Sequence, residues 1–278
     1  MKPAAARRSA VTASSHRAHR THRRGLAALL YVQLALALGL PLVVIGLWSV
    51  SDGWFAPALL PQAYTGAHWH DALTDPLLGD ALLTSVAIAA AVMALSALIA
   101  IPAAWVLSRM PPARRRPIEL AIVIPLVVPG VVVATALGKI LLLAHLSYTW
   151  AGVILAQTVG TLPLMLWILT AGFARIPAET VSAARSLGAG MFSTVWYIAL
   201  PAARRALLGG SLVVFASSIE EFDKTFIVGA PNVQTLPVLL YAQLDGAGIV
   251  FPVAAVASFV LMLPGVVIFL VAVRTAHD

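Results

Sequence analysis

Long apolar runs separated by short polar breaks dominate the chain, and their length rather than any finer period sets the first expectation. Six runs are candidates for crossing a bilayer: Leu26 to Val50, Ala81 to Leu107, Ile118 to Leu143, Trp150 to Phe173, Ala206 to Val228 and Ile249 to Val273. A hydrocarbon layer of about 30 Å takes roughly 20 helical residues. Backbone groups inside it find no water, so only helices and closed barrels span it. None of the six runs alternates as a barrel strand would, and the pattern predicts an all-α membrane protein with about six transmembrane helices. Prolines 41, 102, 125, 129, 163, 252 and 264 fall inside or at the edges of these runs and predict kinks that neighbouring helices must absorb.

One segment breaks the pattern. From Ile176 to Pro201 the chain is too polar to span, yet Val181, Ala184, Leu187, Phe192, Val195, Trp196 and Ile198 form apolar faces at helical spacing. Pro177 suits a first turn, Gly188 and Gly190 break a helix, and Pro201 starts or kinks the next. Two short helices in a loop between the fourth and fifth spans are expected, with an apolar side in need of cover. An amphipathic helix lying on the membrane is one way to cover it.

Composition agrees with the runs: 60% of the 278 residues are hydrophobic and 10% charged, which excludes an ordinary soluble domain. The chain has no cysteine, so disulfides, thiolate metal sites and cysteine nucleophiles are excluded. Charge distribution predicts orientation. Of 18 Lys and Arg, seven precede the first span, Arg109 and Arg114 to Arg116 lie between spans two and three, Arg175, Arg185, Arg204 and Arg205 between four and five, and Arg274 near the end. The loop 51–80 carries Asp52, Asp71, Asp75 and Asp80 but no Lys or Arg. Basic residues accumulate on the cytoplasmic side of short loops, so both termini are expected in the cytoplasm. Residues 1–24 read as a disordered basic arm held near anionic headgroups, with His16, His19 and His22 part of that arm, and residues 25–278 as the membrane domain. The first apolar run is too long for a signal core and reads as an uncleaved anchor.

The loop adds a more specific signal. Ala183-Ala184, three residues, Gly188, nine residues, Ile198, one residue and Leu200-Pro201 resemble the EAA loop in the membrane subunits of binding-protein-dependent ABC importers of the type I fold. In that family the loop lies on the cytoplasmic side before the penultimate helix, the position found here. The motif glutamate falls on Ser182, with Glu179 one helical turn earlier, so either residue stands in for it. The resemblance implies a coupling helix at 176–203 seated in a groove on a separate ATP-binding subunit, with Glu179, Ser182, Ala183, Ala184, Leu187, Gly188, Ile198, Leu200 and Pro201 at or near the contact. It further implies a pair of ATPase subunits binding ATP and magnesium, a second permease subunit that is a related chain or a second copy, an extracytoplasmic solute-binding protein, and residence in a bacterial inner membrane. No Gly-x-x-x-x-Gly-Lys-[Ser/Thr] occurs in this chain, and neither a cofactor nor an enzymatic activity is assigned to it.

The fifth run carries charges. Glu220, Glu221, Asp223 and Lys224 are costly within a bilayer and face a cavity, a partner or the aqueous mouth. The spacing of Glu220 and Lys224 suits an ion pair on one helix face, and the cluster is the candidate substrate pathway. The stretch Ser218, Glu220, Glu221, Phe222, Thr225, Phe226, Gly229 and Thr235-Leu236-Pro237 resembles the polyamine-type branch of these permeases, which implies spermidine or putrescine, with ferric iron, thiamine or another small solute as alternatives. A second reading is an ion-coupled secondary transporter or channel using Glu220, Glu221 and Asp223, which predicts inverted repeats; it leaves the loop motif unexplained. Lys139 is expected to snorkel. His68 and His70 read as loop residues, and no metal is assigned. No constellation argues for nucleic acid or for hydrolysis.

Overall fold

A computed structural model describes residues 29–54, 57–245 and 251–277; the basic arm 1–24 lies outside these residues. The chain separates into two units, Met1–Gly66 and Ala67–Asp278. Among its described residues the first holds one long helix, α1 (Leu29–Ser49, 21 residues). Two short strands follow it, β1 (Ser51–Asp52) and β2 (Ala63–Tyr64), paired antiparallel with Ser51 opposite Tyr64. Trp48 and Trp54 meet edge to face at 5.8 Å beside this hairpin.

The second unit opens with α2 (Ala67–Thr74), in a loop where no helix was expected, and α3 (Pro76–Arg109, 34 residues). Helix α3 begins five residues before the apolar run does. Asp75 caps it, its side chain accepting from the Leu77 amide at 2.9 Å, and Pro76 occupies the first turn. Ala81, Ser85, Ile88, Ala89, Val92, Ser96, Ala100 and Ala104 are buried at helical spacing along α3, and a stripe of mostly small side chains lets neighbouring backbones come close.

The third run does not form one span. It folds as α4 (Pro112–Val127) and α5 (Gly130–Leu143), bent by 97°. Pro129 explains the break: it has no amide to donate, and it drives Val128 out of the helical region to φ −74°, ψ 134°. The fourth run folds as expected into α6 (Trp150–Ala174), capped by Thr149, whose hydroxyl accepts from the Gly152 amide at 3.1 Å. This helix is the axis of the unit. Val153, Met165, Leu169 and Phe173 on α6 are buried with Val92, Trp105, Val214 and Val228 in the main core.

The loop then forms α7 (Ala178–Ser186), α8 (Met191–Thr194), a π-helical turn at Val195–Ala199 and α9 (Leu200–Ala202), and bends by 79° into α10 (Arg204–Ile219). The π-turn has a cause. Pro201 would drive its ring into the carbonyl four residues back, and the wider turn, closed by the Leu200 amide on Val195 O, removes the crowding. The fifth run is also broken: α10 ends at Ile219 and the chain resumes as α11 (Asp223–Gly229). Helix α12 (Leu236–Asp245) and α13 (Phe251–His277) complete the unit, and Leu78, Leu236, Leu239, Val256 and Val260 build a second core. Among the described residues, three helices are long and apolar enough to span a membrane, or five if each bent pair counts once.

Where α6 passes α10 the separation is set by glycine. A Cβ on Gly172 would run into the Cβ of Ala206 and stand 3.6 Å from that of Ala203. Replacing Gly172 with leucine is expected to lower stability by about 1–3 kcal/mol, seen as a lower melting temperature of the detergent-solubilised protein, while Gly209→Ala, with open space around its Cβ, leaves it unchanged.

Candidate functional site: an exposed loop surface and a buried polar junction

Two places in the second unit gather the residues singled out from the sequence. The first is the loop 176–203. Its α7 ends in a Schellman turn: the Gly188 amide donates to Arg185 O and the Ala189 amide to Ala184 O, both at 3.0 Å. Gly188 sits at φ +88°, the left-handed region that a residue without a Cβ enters freely. That turn reverses the chain and divides its apolar residues between two sides. Val181 and Ile198 are half-buried, while Ala184, Val195 and Ala199 are buried. Leu187 (89% exposed), Phe192 (78%) and Trp196 (52%) point away, with the rings of Phe192 and Trp196 stacked 6.1 Å apart. Tyr197 and Met191 extend the same exposed surface and were not anticipated from sequence.

Of the remaining motif residues, Glu179, Ser182, Ala183, Gly188 and Pro201 are exposed and Leu200 is half-buried. Ser182 does not cap its helix. Its hydroxyl donates back to Ala178 O at 2.9 Å, so among the two residues offered for the motif glutamate only Glu179, exposed in the first turn of α7, carries a charge. Beside α7 and α8 lies a cleft of about 600 Å³ whose opposite wall is the end of α3, Trp105 to Pro111.

The second place is the α10–α11 junction. The expected pairing of Glu220 with Lys224 does not form, because the helix needed to bring them one above the other ends at Ile219. Glu220 is exposed at the C-cap of α10. Lys224 Nζ instead pairs with Glu221 Oε2 at 2.6 Å, and the other oxygen of Glu221 accepts from the Lys224 amide at 3.1 Å. The lysine is buried, lying against α6 at Gly160, where a Cβ would come within 2.9 Å of Lys224 Cε. Asp223 lies over the first turn of α5, its Oδ2 2.5 Å from where a Gly130 Cβ would be.

Beneath this ion pair runs a hydrogen-bonded chain of side chains. Gln157, fully buried, donates to Thr225 Oγ1 at 2.8 Å and accepts from the Ser218 hydroxyl. Thr225 in turn donates to Glu221 O at 3.2 Å, and Ser96 meets Thr161 at 3.2 Å one turn along α6. Gln157 is the residue that sequence reasoning missed. A lone amide within the apolar run Trp150 to Phe173 was the available signal, because a buried polar group needs partners. Phe222, Phe226 and Tyr241 pack their rings 5.1 to 5.4 Å apart at the same junction.

Comparison with known proteins agrees with this architecture. The family described as "Binding-protein-dependent transport system inner membrane component" matches residues 96–275. A putative ABC transporter permease protein of Streptomyces antibioticus is 31% identical over 212 residues, covering 76% of this chain and 92% of that protein. A probable molybdenum ABC transporter permease protein of Haloferax volcanii is 30% identical over 257 residues, covering 87% and 92%. The crystal structure of a bacterial ABC transporter that imports the acidic polysaccharide alginate superposes with a TM-score of 0.73 at 18% identity, over 93% of this chain and 97% of that one. That likeness concerns the fold. The polyamine-type branch expected from the fifth run is not supported: the relative from Haloferax volcanii is named for molybdenum and not for polyamines. With the matched segment covering the helices around α6, the loop 176–203 and the α10–α11 junction, the chain belongs to the inner membrane components of binding-protein-dependent transport systems, the permease subunits of ABC importers.

Proposed function

We propose that this chain is one half of the translocation pathway of an ATP-driven importer and that Glu179 to Pro201 is the handle by which a separate ATPase moves it. The observation that carries this reading is the division of the loop. A buried side fixes it to the bundle, while Leu187, Phe192 and Trp196 form an apolar edge that is exposed among the described residues. Large exposed aromatics of this kind are the anchors of protein interfaces. The arginine-rich loops support a cytoplasmic placing of this edge and of both termini. ATP and magnesium belong to the partner ATPase pair, a second transmembrane subunit completes the pathway, and a solute-binding protein loads it from outside.

The solute we favour is a small oxyanion of the molybdate type rather than a polyamine. Two features support it: a relative named for molybdenum transport, and the pairing of Glu221 with Lys224, which neutralises one of the three acidic side chains offered for a cationic route. The same pairing weakens the ion-coupled alternative. In proteoliposomes containing this chain, the second transmembrane subunit, the ATPase and the binding protein, ATP-dependent uptake of labelled molybdate is expected and uptake of labelled putrescine is not; the reverse result would restore the polyamine reading. Replacing both Phe192 and Trp196 with alanine is expected to weaken ATPase binding by about 2 kcal/mol or more, read as loss of co-purification. Retention of the ATPase by that variant would sink the handle.

A further inference from the structure

The last turn of α3 grips the joint between α6 and α7. Arg109 Nη1 donates to Ile176 O at 3.1 Å and Nη2 to Phe173 O at 3.3 Å. Its guanidinium lies over the Trp105 ring, 4.5 Å from the centroid, and Trp105 itself meets Phe173 edge to face at 5.6 Å. Phe173 O is in the last turn of α6 and also accepts from the Ile176 amide at 3.1 Å, and Ile176 O lies two residues beyond that helix, so the fork ties together both sides of the turn that ends α6, at the helix's partially negative end. A planar guanidinium can serve two such carbonyls and stack on an indole at once; an ammonium cannot. Ile176 O lies one residue before Pro177, which caps α7. The fork therefore reaches the start of the loop that we read as the handle.

We propose that Arg109 is a positioning residue that locks this joint to α3, so that displacement of the loop moves α3 and α6 as a block instead of bending the connection between α6 and α7. The room for bending exists. The 600 Å³ cleft separates the end of α3 from Val181, Ser182, Arg185 and Met191, and without the fork α7 can pivot into it. Arg114, exposed at the start of α4, makes none of the contacts given for Arg109 and serves as a control.

This proposal rests on the importer reading, and its test separates the two. In the reconstituted transporter, Arg109→Gln is expected to lower solute moved per ATP hydrolysed about tenfold, on the scale of losing charge-assisted hydrogen bonds, while hydrolysis and melting temperature stay near wild type. Arg109→Lys, with one reach instead of two, is expected in between, and Arg114→Gln is expected to match wild type. Because the chain has no cysteine, spin labels at Met110→Cys and Ala178→Cys report the cleft alone: a narrow separation through the ATP cycle is expected with Arg109, and a broad one with Arg109→Gln. An unchanged ratio, a proportional fall of uptake and hydrolysis with a lower melting temperature, or label distances indifferent to Arg109 each overturn the proposal. A wild-type assembly that neither hydrolyses ATP nor transports overturns the importer reading, and this proposal with it.

Discussion

Gly188→Val is expected to abolish transport while leaving the protein in the membrane. The residue sits at φ +88°, and a Cβ added there would meet nothing within 4 Å. The cost of the substitution is therefore conformational and not steric crowding by neighbours. A β-branched side chain resists the left-handed region, with a penalty of about 1–3 kcal/mol. The chain escapes that penalty by opening the Schellman turn, which frees Ala184 O and Arg185 O and swings Leu187 and Phe192 out of register. Asparagine tolerates the same backbone region, so Gly188→Asn is expected to keep most of the activity that valine loses. ATPase co-purification and uptake, measured on equal amounts of membrane-inserted protein, check the series. Full transport by the valine variant would mean that this turn does not set the handle.

Lys224→Met is expected to have the largest effect on folding. It leaves Glu221 charged and half-buried beside α6, with its remaining contact to an amide of its own turn. Removing one partner of a buried pair costs about 3–5 kcal/mol, because the other charge stays desolvated, whereas replacing both partners is often neutral. The double variant Glu221→Gln with Lys224→Met is thus expected to recover most of the melting temperature that the single variant loses. Uptake by that double variant carries a second answer. Near-normal transport means that the pair is structural, and a well-folded but inactive protein means that it also touches the solute.

Gln157 makes the same point from the other side. It couples α6 to Ser218 on α10 and Thr225 on α11 in one chain of hydrogen bonds, and such networks hold a unique arrangement only when each member is satisfied. The neutralised ion pair sits on top of this network. Glu221, one of the three acidic residues that looked like a route for cations, is thereby tied into the packing at this junction, while Glu220 stays exposed.

Much of this protein was legible from sequence alone. Run length and apolar content determined that it is a helical membrane protein, because a bilayer accepts little else. The helical spacing of apolar residues from Ile176 to Pro201 determined a loop of short helices, with Gly188 at its turn and Leu187, Phe192 and Trp196 among its apolar residues. These are local features, fixed by the backbone preferences of neighbouring residues and by the helical period. Tertiary structure decided the rest. Hydropathy does not register where a helix stops: Pro129 announced a kink in the third run but not a bend of 97°, and the fifth run broke after Ile219 and re-paired Lys224 with Glu221 in place of Glu220. Arg109 looked like one more topology-setting charge until the end of α6 and the turn after it brought two carbonyls to it, and Gln157 had no visible partners until α10 and α11 closed on it. Which distant groups a side chain meets depends on how helices cross, and no window of neighbouring residues records that.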